Sequence, residues 1–411
     1  MIIFEKLKKE NKILFILVVI SLICIITNYN GKIDNYNTTI LALNYSYGFT
    51  SRGFIGSIFL FLDKLTPFSI MNTWGALRFY QLSTLVFLAI IFIFARMIIK
   101  RAQDTELNLV TYILAAIVIM MSTTFAGEYN FGRIDMYMIA IALICTELIM
   151  VERFEWLIIP LSAIGVMIHQ GYAMMYFNIV LVLLFYKFFT VDDRKAKLKY
   201  AVIFILSIIS AGILFLYLEL FSHASNGKEI FDDVAAIAAG LAVDGTYHKT
   251  LLQHEILGID LSDVEHGFHM KNLVEIIVLI LFLLPYIVIA IKLFINIWKT
   301  AAVTICDKLK YLAVFLGSLT MAPDYLIKVD YGRWVTSTLM YYLVVLLVLI
   351  LIDDKVREVV IKLVSQIKQA NVLCKFLLVY PVLFVPFLDV NIDQITAMIG
   401  HVLNRELLGW W

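Results

Sequence analysis

The sequence predicts an all-α polytopic integral membrane fold with about eleven transmembrane helices, in a range of roughly 10–13. Three observations predict it. Of the 411 residues, 62% are hydrophobic and 16% are charged, against about 25% charged in a soluble domain; the mean hydropathy is +0.90. The apolar residues gather into long runs near the ~20 residues that a spanning helix needs. These runs show no two-residue alternation. In lipid every backbone polar group must be satisfied internally, so helices are expected.

The elements follow in order. The start, MIIFEKLKKENKILFILVVISLICIIT, is basic and then apolar. NYNGKIDNYN follows without a small-x-small cleavage site, so the run reads as an uncleaved first span over 12–28. GFIGSIFLFLDKL, 53–65, is apolar but too short to span and suits a re-entrant or interfacial helix. Further spans are expected over 79–99, 107–125, 136–151, 155–170, 173–190, 200–221, 272–295, 309–325, 334–352 and 373–389. Between the seventh and eighth lies a long loop, 222–271. Its middle, EIFDDVAAIAAGLAV, reads as a helix with acidic residues at its start, which the helix dipole favours. The tail ITAMIGHVLNRELLGWW is amphipathic and ends in two tryptophans, as interface anchors do. No repeat and no Gly/Ser/Pro linker divides the chain, so one polytopic domain over 1–411 is expected.

Charge sets the orientation. KLKKENK, ARMIIKRAQD, VERFEW, VDDRKAKLK, the segment from Lys292 to Lys310 and DDKVREVVIKLVSQIK are short, and carry most of the basic residues. About two thirds of the 33 Lys and Arg fall on that side, so the positive-inside rule puts it and the N-terminus in the cytoplasm. The other side holds SYGFTSRGFIGSIF, AGEYNFGRID, IHQGYAMMYF, loop 222–271, DYLIKVDYGRW and the C-terminal tail from about 390, with all seven histidines. The net charge of +1 points to no nucleic-acid partner. The four cysteines form neither a disulfide framework nor a CxxC site. His266 and His269 are three apart, but no Cys or HExxH accompanies them, so no metal is expected.

Ionisable residues at membrane depth are functional candidates. In MAPDYLIKVDYGRWV, Asp330 and Arg333 share a helix face. Either they form an ion pair at a span mouth, or Arg333 binds an anion that Asp330 orients or deprotonates. Trp334 reads as a belt anchor, and Pro323 should break the ninth helix before Asp324. In FGRID, Arg133 and Asp135 are two apart, do not face each other on a helix, and so need separate partners. Asp135 then supports a helix N-terminus, and Arg133 suits a phosphate. In SRGF, Ser51 is placed to cap the short helix, and Arg52 either snorkels to headgroups or joins the helix dipole in binding an anion. His169 ends the fifth span, as a structural hydrogen-bonding residue or as a base suited to neutral pH.

This layout resembles the Wzy-type polysaccharide polymerases of bacterial O-antigen and capsule assembly, and more broadly the GT-C membrane glycosyltransferases. The resemblance rests on SRGF, FGRID, HQG and DYGRW together with the arrangement of spans. Many GT-C enzymes carry a catalytic acid or acidic pair in the first outer loop. Here that loop offers only Asp34 and Asp63, which departs from the metal-dependent pattern. The polymerase resemblance implies no metal and no cofactor. It implies donor and acceptor glycans on undecaprenyl pyrophosphate, membrane lipid around the protein, and other polysaccharide-assembly proteins as partners. The site would lie on the outer face of the cytoplasmic membrane. Asp135, Asp330 or His169 would take the acceptor proton. Arg52, Arg133 and Arg333, with Asp324, would hold the substrate.

Two rivals differ in what they need. A transporter or flippase of lipid-linked sugars would favour internal repeats and polar residues at mid-membrane. An acyltransferase acting on an envelope glycan would need a histidine in the membrane plane, for which His169 is the candidate.

Overall fold

The structure, a computed structural model, describes residues 9–28, 32–104, 106–121, 131–221, 227–259, 270–322, 331–369, 372–373 and 375–376. Among the described residues the fold is all-helical. Among these residues three helices are long and apolar enough to cross a membrane: Thr73–Arg101, Arg194–Phe221 and Arg333–Ile352. The chain forms two compact units, Met1–Glu265 and His266–Trp411.

The first unit contains α1 (Lys9–Asn28), α2 (Asn35–Ala42), α3 (Gly53–Leu65), α4 (Thr73–Arg101), α5 (Leu107–Met121), α6 (Asp135–Val151), α7 (Ile158–Ile168), α8 (Gly171–Met175), α9 (Phe177–Thr190), α10 (Arg194–Phe221), α11 (Gly227–Leu241) and α12 (Lys249–Leu257). α4 shows why these runs are helical. Tyr80, Thr84, Phe87, Ile91, Ala95 and Ile98 are buried at three- and four-residue spacing, one stripe of a helix. Its opposite face is also apolar: Leu82, Leu85, Val86 and Ile93 are exposed. α10 has the same character, with Ile205, Ile209, Ile213 and Leu220 exposed. α7 packs on α10 and α6, and α11 and α12 pack on α2.

Several expected boundaries move. The short helix of 53–65 appears over those residues. The expected spans 155–170 and 173–190 are broken more finely, into a 3-10 turn at Glu155–Leu157 and then α7, α8 and α9. His169 is the break, because its extended backbone (φ −164°, ψ 135°) cannot continue α7. Loop 222–271 holds two helices where one was expected. The start of α11 packs on the end of α12 so closely that a Cβ on Gly227 would lie 2.3 Å from the Ile256 carbonyl oxygen.

The second unit contains α13 (Met270–Thr300, with Pro285 inside it), α14 (Ile305–Leu316), α15 (Tyr331–Ile352) and α16 (Asp354–Gln369). The expected span 309–325 begins earlier, since Thr304 and Asp307 form a reciprocal cap at Ile305. It tightens to a 3-10 turn at Gly317–Met321, where Tyr341 Oη lies against Gly317. DDKVREVVIKLVSQIK, read as a plain connection, is largely the helix α16. Val356 and Val360 sit one turn apart and bury its apolar side, and Asp353 Oδ1 accepts from the Lys355 and Val356 N–H groups at its start. The span expected over 373–389 and the C-terminal tail lie outside the described residues, apart from 373, 375 and 376.

Candidate functional site

The first unit has two chemically different ends. At one end Arg101 donates to the Met150 carbonyl at 2.6 Å. Lys187 pairs with Glu152 at 2.5 Å, and Lys199 with Glu155 at 2.6 Å. These residues join the ends of α4, α6, α9 and α10, and Lys9 meets Asp104 at 2.9 Å beside α1 and α4. At the opposite end lie the start of α6, the end of α7, and α2, α3, α11 and α12. Asn37 Nδ2 donates to the Phe131 carbonyl at 3.0 Å, and Tyr80 Oη to the Asn37 carbonyl at 2.8 Å. The His248 N–H donates to Thr39 Oγ1 at 2.9 Å, and Asn35 Nδ2 to Thr246 Oγ1 at 3.2 Å. Residues 35, 37, 39, 80, 131, 246 and 248 thus gather at one end of the first unit.

Arg52 is central to that second end. Its backbone is left-handed (φ 59°), which turns the chain into α3 and leaves the helix start without a side-chain cap. Ser51, expected to cap, instead donates to Gln170 Oε1 at 2.5 Å. The Arg52 guanidinium donates through Nη1 to Glu255 Oε1, and its Nη2 lies 3.2 Å from His169 Nε2. Three segments far apart in sequence thus meet, at 52, 169 and 255. Arg52 and His169, which the sequence singled out separately, are brought together. Glu255 was missed. Its signal was available in KTLLQHEIL: Leu251, Leu252, Glu255 and Ile256 form the buried side of α12, and a carboxylate on an apolar stripe needs a cation.

The carboxylate is unevenly served. Glu255 is 1% exposed; Oε1 takes Arg52 and lies 3.2 Å from His254 Nδ1, whereas Oε2 is buried without a hydrogen-bond partner among the described residues. Among the described residues Thr50 Oγ1 and Tyr45 Oη are also buried without a hydrogen-bond partner; Thr50 Oγ1 and the edge of the Tyr45 ring lie against Gly53 at the start of α3. Tyr45 stacks loosely with Phe49 and Phe54, and Phe49 meets Tyr217 of α10.

His169 is oriented by its own chain. The Gly171 N–H donates to His169 Nδ1 at 2.7 Å. The Gly171 N–H and the Arg52 guanidinium are both donors, one against each ring nitrogen; a neutral imidazole has one acceptor nitrogen, so the tautomer decides which of the two it accepts.

His248 lies near Arg52, with its ring edge on Tyr36 at 5.3 Å between centroids. Its Nδ1 accepts from the Leu251 N–H at 3.2 Å and caps α12. Burial holds its pKa below the ordinary value; Asp34 opposes this and Arg52 adds to it.

Arg133 and Asp135 lie against each other, where the helix rule expected them to face apart. Arg133 Nε lies 3.5 Å from Asp135 Oδ2. The helical facing rule fails here because Arg133 precedes α6, so its side chain is not bound to the helix period. Gly132, at φ 92°, packs on the Tyr80 ring and makes this turn.

In the second unit Arg333 lies in the first turn of α15 and is half-buried. Trp334, expected as a belt anchor, is 3% exposed. Asp324, Asp330, Pro323, His266 and His269 lie outside the described residues. Among the described residues no group of three or more His, Cys, Asp or Glu is placed to hold a metal ion. The chain matches no protein-family model, no curated protein and no solved structure.

Proposed function

We propose that this chain is a multi-pass protein of the cytoplasmic membrane that transfers glycan from a polyprenyl pyrophosphate carrier on the outer face, as a polysaccharide polymerase does. The exposed apolar faces of α4 and α10 support a lipid surround, since such faces are unfavourable in water. The observation that carries the site is the convergence of Arg52, His169 and Glu255 at the end opposite the Lys187–Glu152 and Lys199–Glu155 pairs.

In this reading the acceptor hydroxyl attacks the anomeric carbon while the C–O bond to pyrophosphate breaks. The arginines stabilise the leaving group as its charge grows, worth about 3–4 kcal/mol for a preorganised contact, or about 10²–10³ in rate. Arg333, in the second unit, is a further candidate substrate-binding cation. Asp135, held near Arg133, and Asp330 are candidate bases. His169, beside Arg52, is a third candidate base.

The test is glycan chain length in the native host, with wild type, a deletion, and Arg52→Ala and Arg333→Ala matched for expression. The reading requires single repeat units to accumulate in the deletion strain and in at least one arginine variant. A normal ladder in the deletion strain sinks it and moves the transporter and acyltransferase readings ahead.

A further inference from the structure

Donors converge at the start of α3. The Arg52 guanidinium is there, with His169 Nε2 3.2 Å from its Nη2. The uncapped first turn of a 13-residue helix adds its own N–H groups and the positive end of its dipole. Thr50 Oγ1, on a residue 1% exposed, is buried beside that turn without a hydrogen-bond partner among the described residues. Such an arrangement selects an anion with several acceptor oxygens.

A carboxylate from another element already engages it. Glu255 reaches in from α12, within the long loop, and its fit is poor. Oε1 takes the contacts from Arg52 and His254, and Oε2 lies buried with no hydrogen bond. A buried acceptor left unpaired carries a desolvation cost, so a ligand that uses more of the donors competes well. Pyrophosphate offers more acceptor oxygens and more charge than one carboxylate.

We propose that the start of α3 is a pyrophosphate-binding site whose resting occupant is the chain's own Glu255, and that ligand binding displaces Glu255 and loosens α12. The assignment to the pyrophosphate of a polyprenyl carrier rests on the function proposed above; the anion site itself does not. The device holds Arg52 in a defined place between turnovers and ties ligand arrival to movement of the loop helices over α2.

The experiment uses the full chain in lipid nanodiscs. Binding of inorganic pyrophosphate and of farnesyl pyrophosphate is measured by calorimetry for wild type, Glu255→Gln and Arg52→Gln. Amide exchange over 249–257 is followed with and without ligand. Glu255→Gln keeps the side-chain shape but removes the competing charge, so apparent affinity should rise about tenfold or more, as expected when an occluding state is removed. Arg52→Gln should abolish binding, and pyrophosphate should speed exchange over 249–257 in wild type. Tighter binding of the farnesyl ester assigns the site to a lipid headgroup, and equal binding assigns it to free pyrophosphate. The proposal is overturned if wild type and Glu255→Gln bind equally or the variant binds more weakly, if exchange over 249–257 does not respond, or if no variant binds. Expected binding together with a normal glycan ladder in the deletion strain keeps this site and rejects the polymerase.

Discussion

Gly56 of α3 lies directly against the carbonyl oxygen of Leu43, where an added Cβ would come within 1.8 Å of it. The contact fixes α3 on the chain leaving α2, and so fixes where Arg52 begins. The Ser57 hydroxyl reinforces it by accepting from the Tyr45 N–H at 2.8 Å and donating to the Gly53 carbonyl at 2.6 Å.

Gly56→Ala should therefore destabilise the first unit by about 1–3 kcal/mol, since the obstacle is backbone that must shift. Gly212→Ala in α10 is the control, because nothing lies within 4 Å of its added methyl. Thermal unfolding in one detergent compares them. A melting temperature for Gly56→Ala equal to that of Gly212→Ala would contradict the packing described.

Arg133 and Asp135 differ in burial, with side chains 19% and 3% exposed. Removing the arginine takes a cation from a buried carboxylate, whereas removing the acid leaves a cation with some access to solvent. Arg133→Met should thus cost more than Asp135→Asn, with the larger loss approaching about 3 kcal/mol. A double-mutant cycle on unfolding midpoints measures the coupling, and zero coupling would dissolve the pair.

His248 gives a pH dependence with a definite sign. Its folded pKa is depressed by burial, so its contribution to stability is full above the ordinary histidine value near 6.5 and is lost as pH falls through the folded value. The cause is local, because protonating Nδ1 removes the acceptor that caps α12 at Leu251. Amide protection factors over 249–257, taken against the intrinsic rate at each pH, should fall as pH drops from about 7.5 to 5. His248→Asn keeps a capping oxygen without titrating, and should flatten that fall.

The two ends of the first unit make a sidedness prediction. In a cysteine-free background, a membrane-impermeant maleimide applied to intact cells should label Ser46→Cys and spare Lys195→Cys, both exposed positions. Permeabilisation should then expose the second. Labelling in the reverse order would invert the orientation.

Helical periodicity and run length made most helices legible, because burial on α4 follows a spacing that a sequence displays directly. The interior breaks were harder. His169 interrupts a run that is apolar on both sides, and only the fold shows its ring held by Gly171. Arg52 and His169 stood out as charges or histidines at apolar edges. Their contact was not legible, since 117 residues separate them and periodicity carries no information over that distance. Glu255 was overlooked in a loop where carboxylates are ordinary; its apolar neighbours at positions 251, 252 and 256 were the overlooked clue. The Arg133–Asp135 pair was misread by applying a helix rule one residue before the helix begins.

Arg52 occupies backbone conformations that glycine adopts without penalty and that cost an L-residue on the order of 1 kcal/mol. Glycine at 52 would ease the turn and erase the guanidinium in the same step. Stability and site chemistry thus pull in opposite directions at this one position. An engineer who ranked substitutions by folding energy alone would favour the change that empties the site, and a thermostable variant of this chain should be checked at residue 52 before anything else.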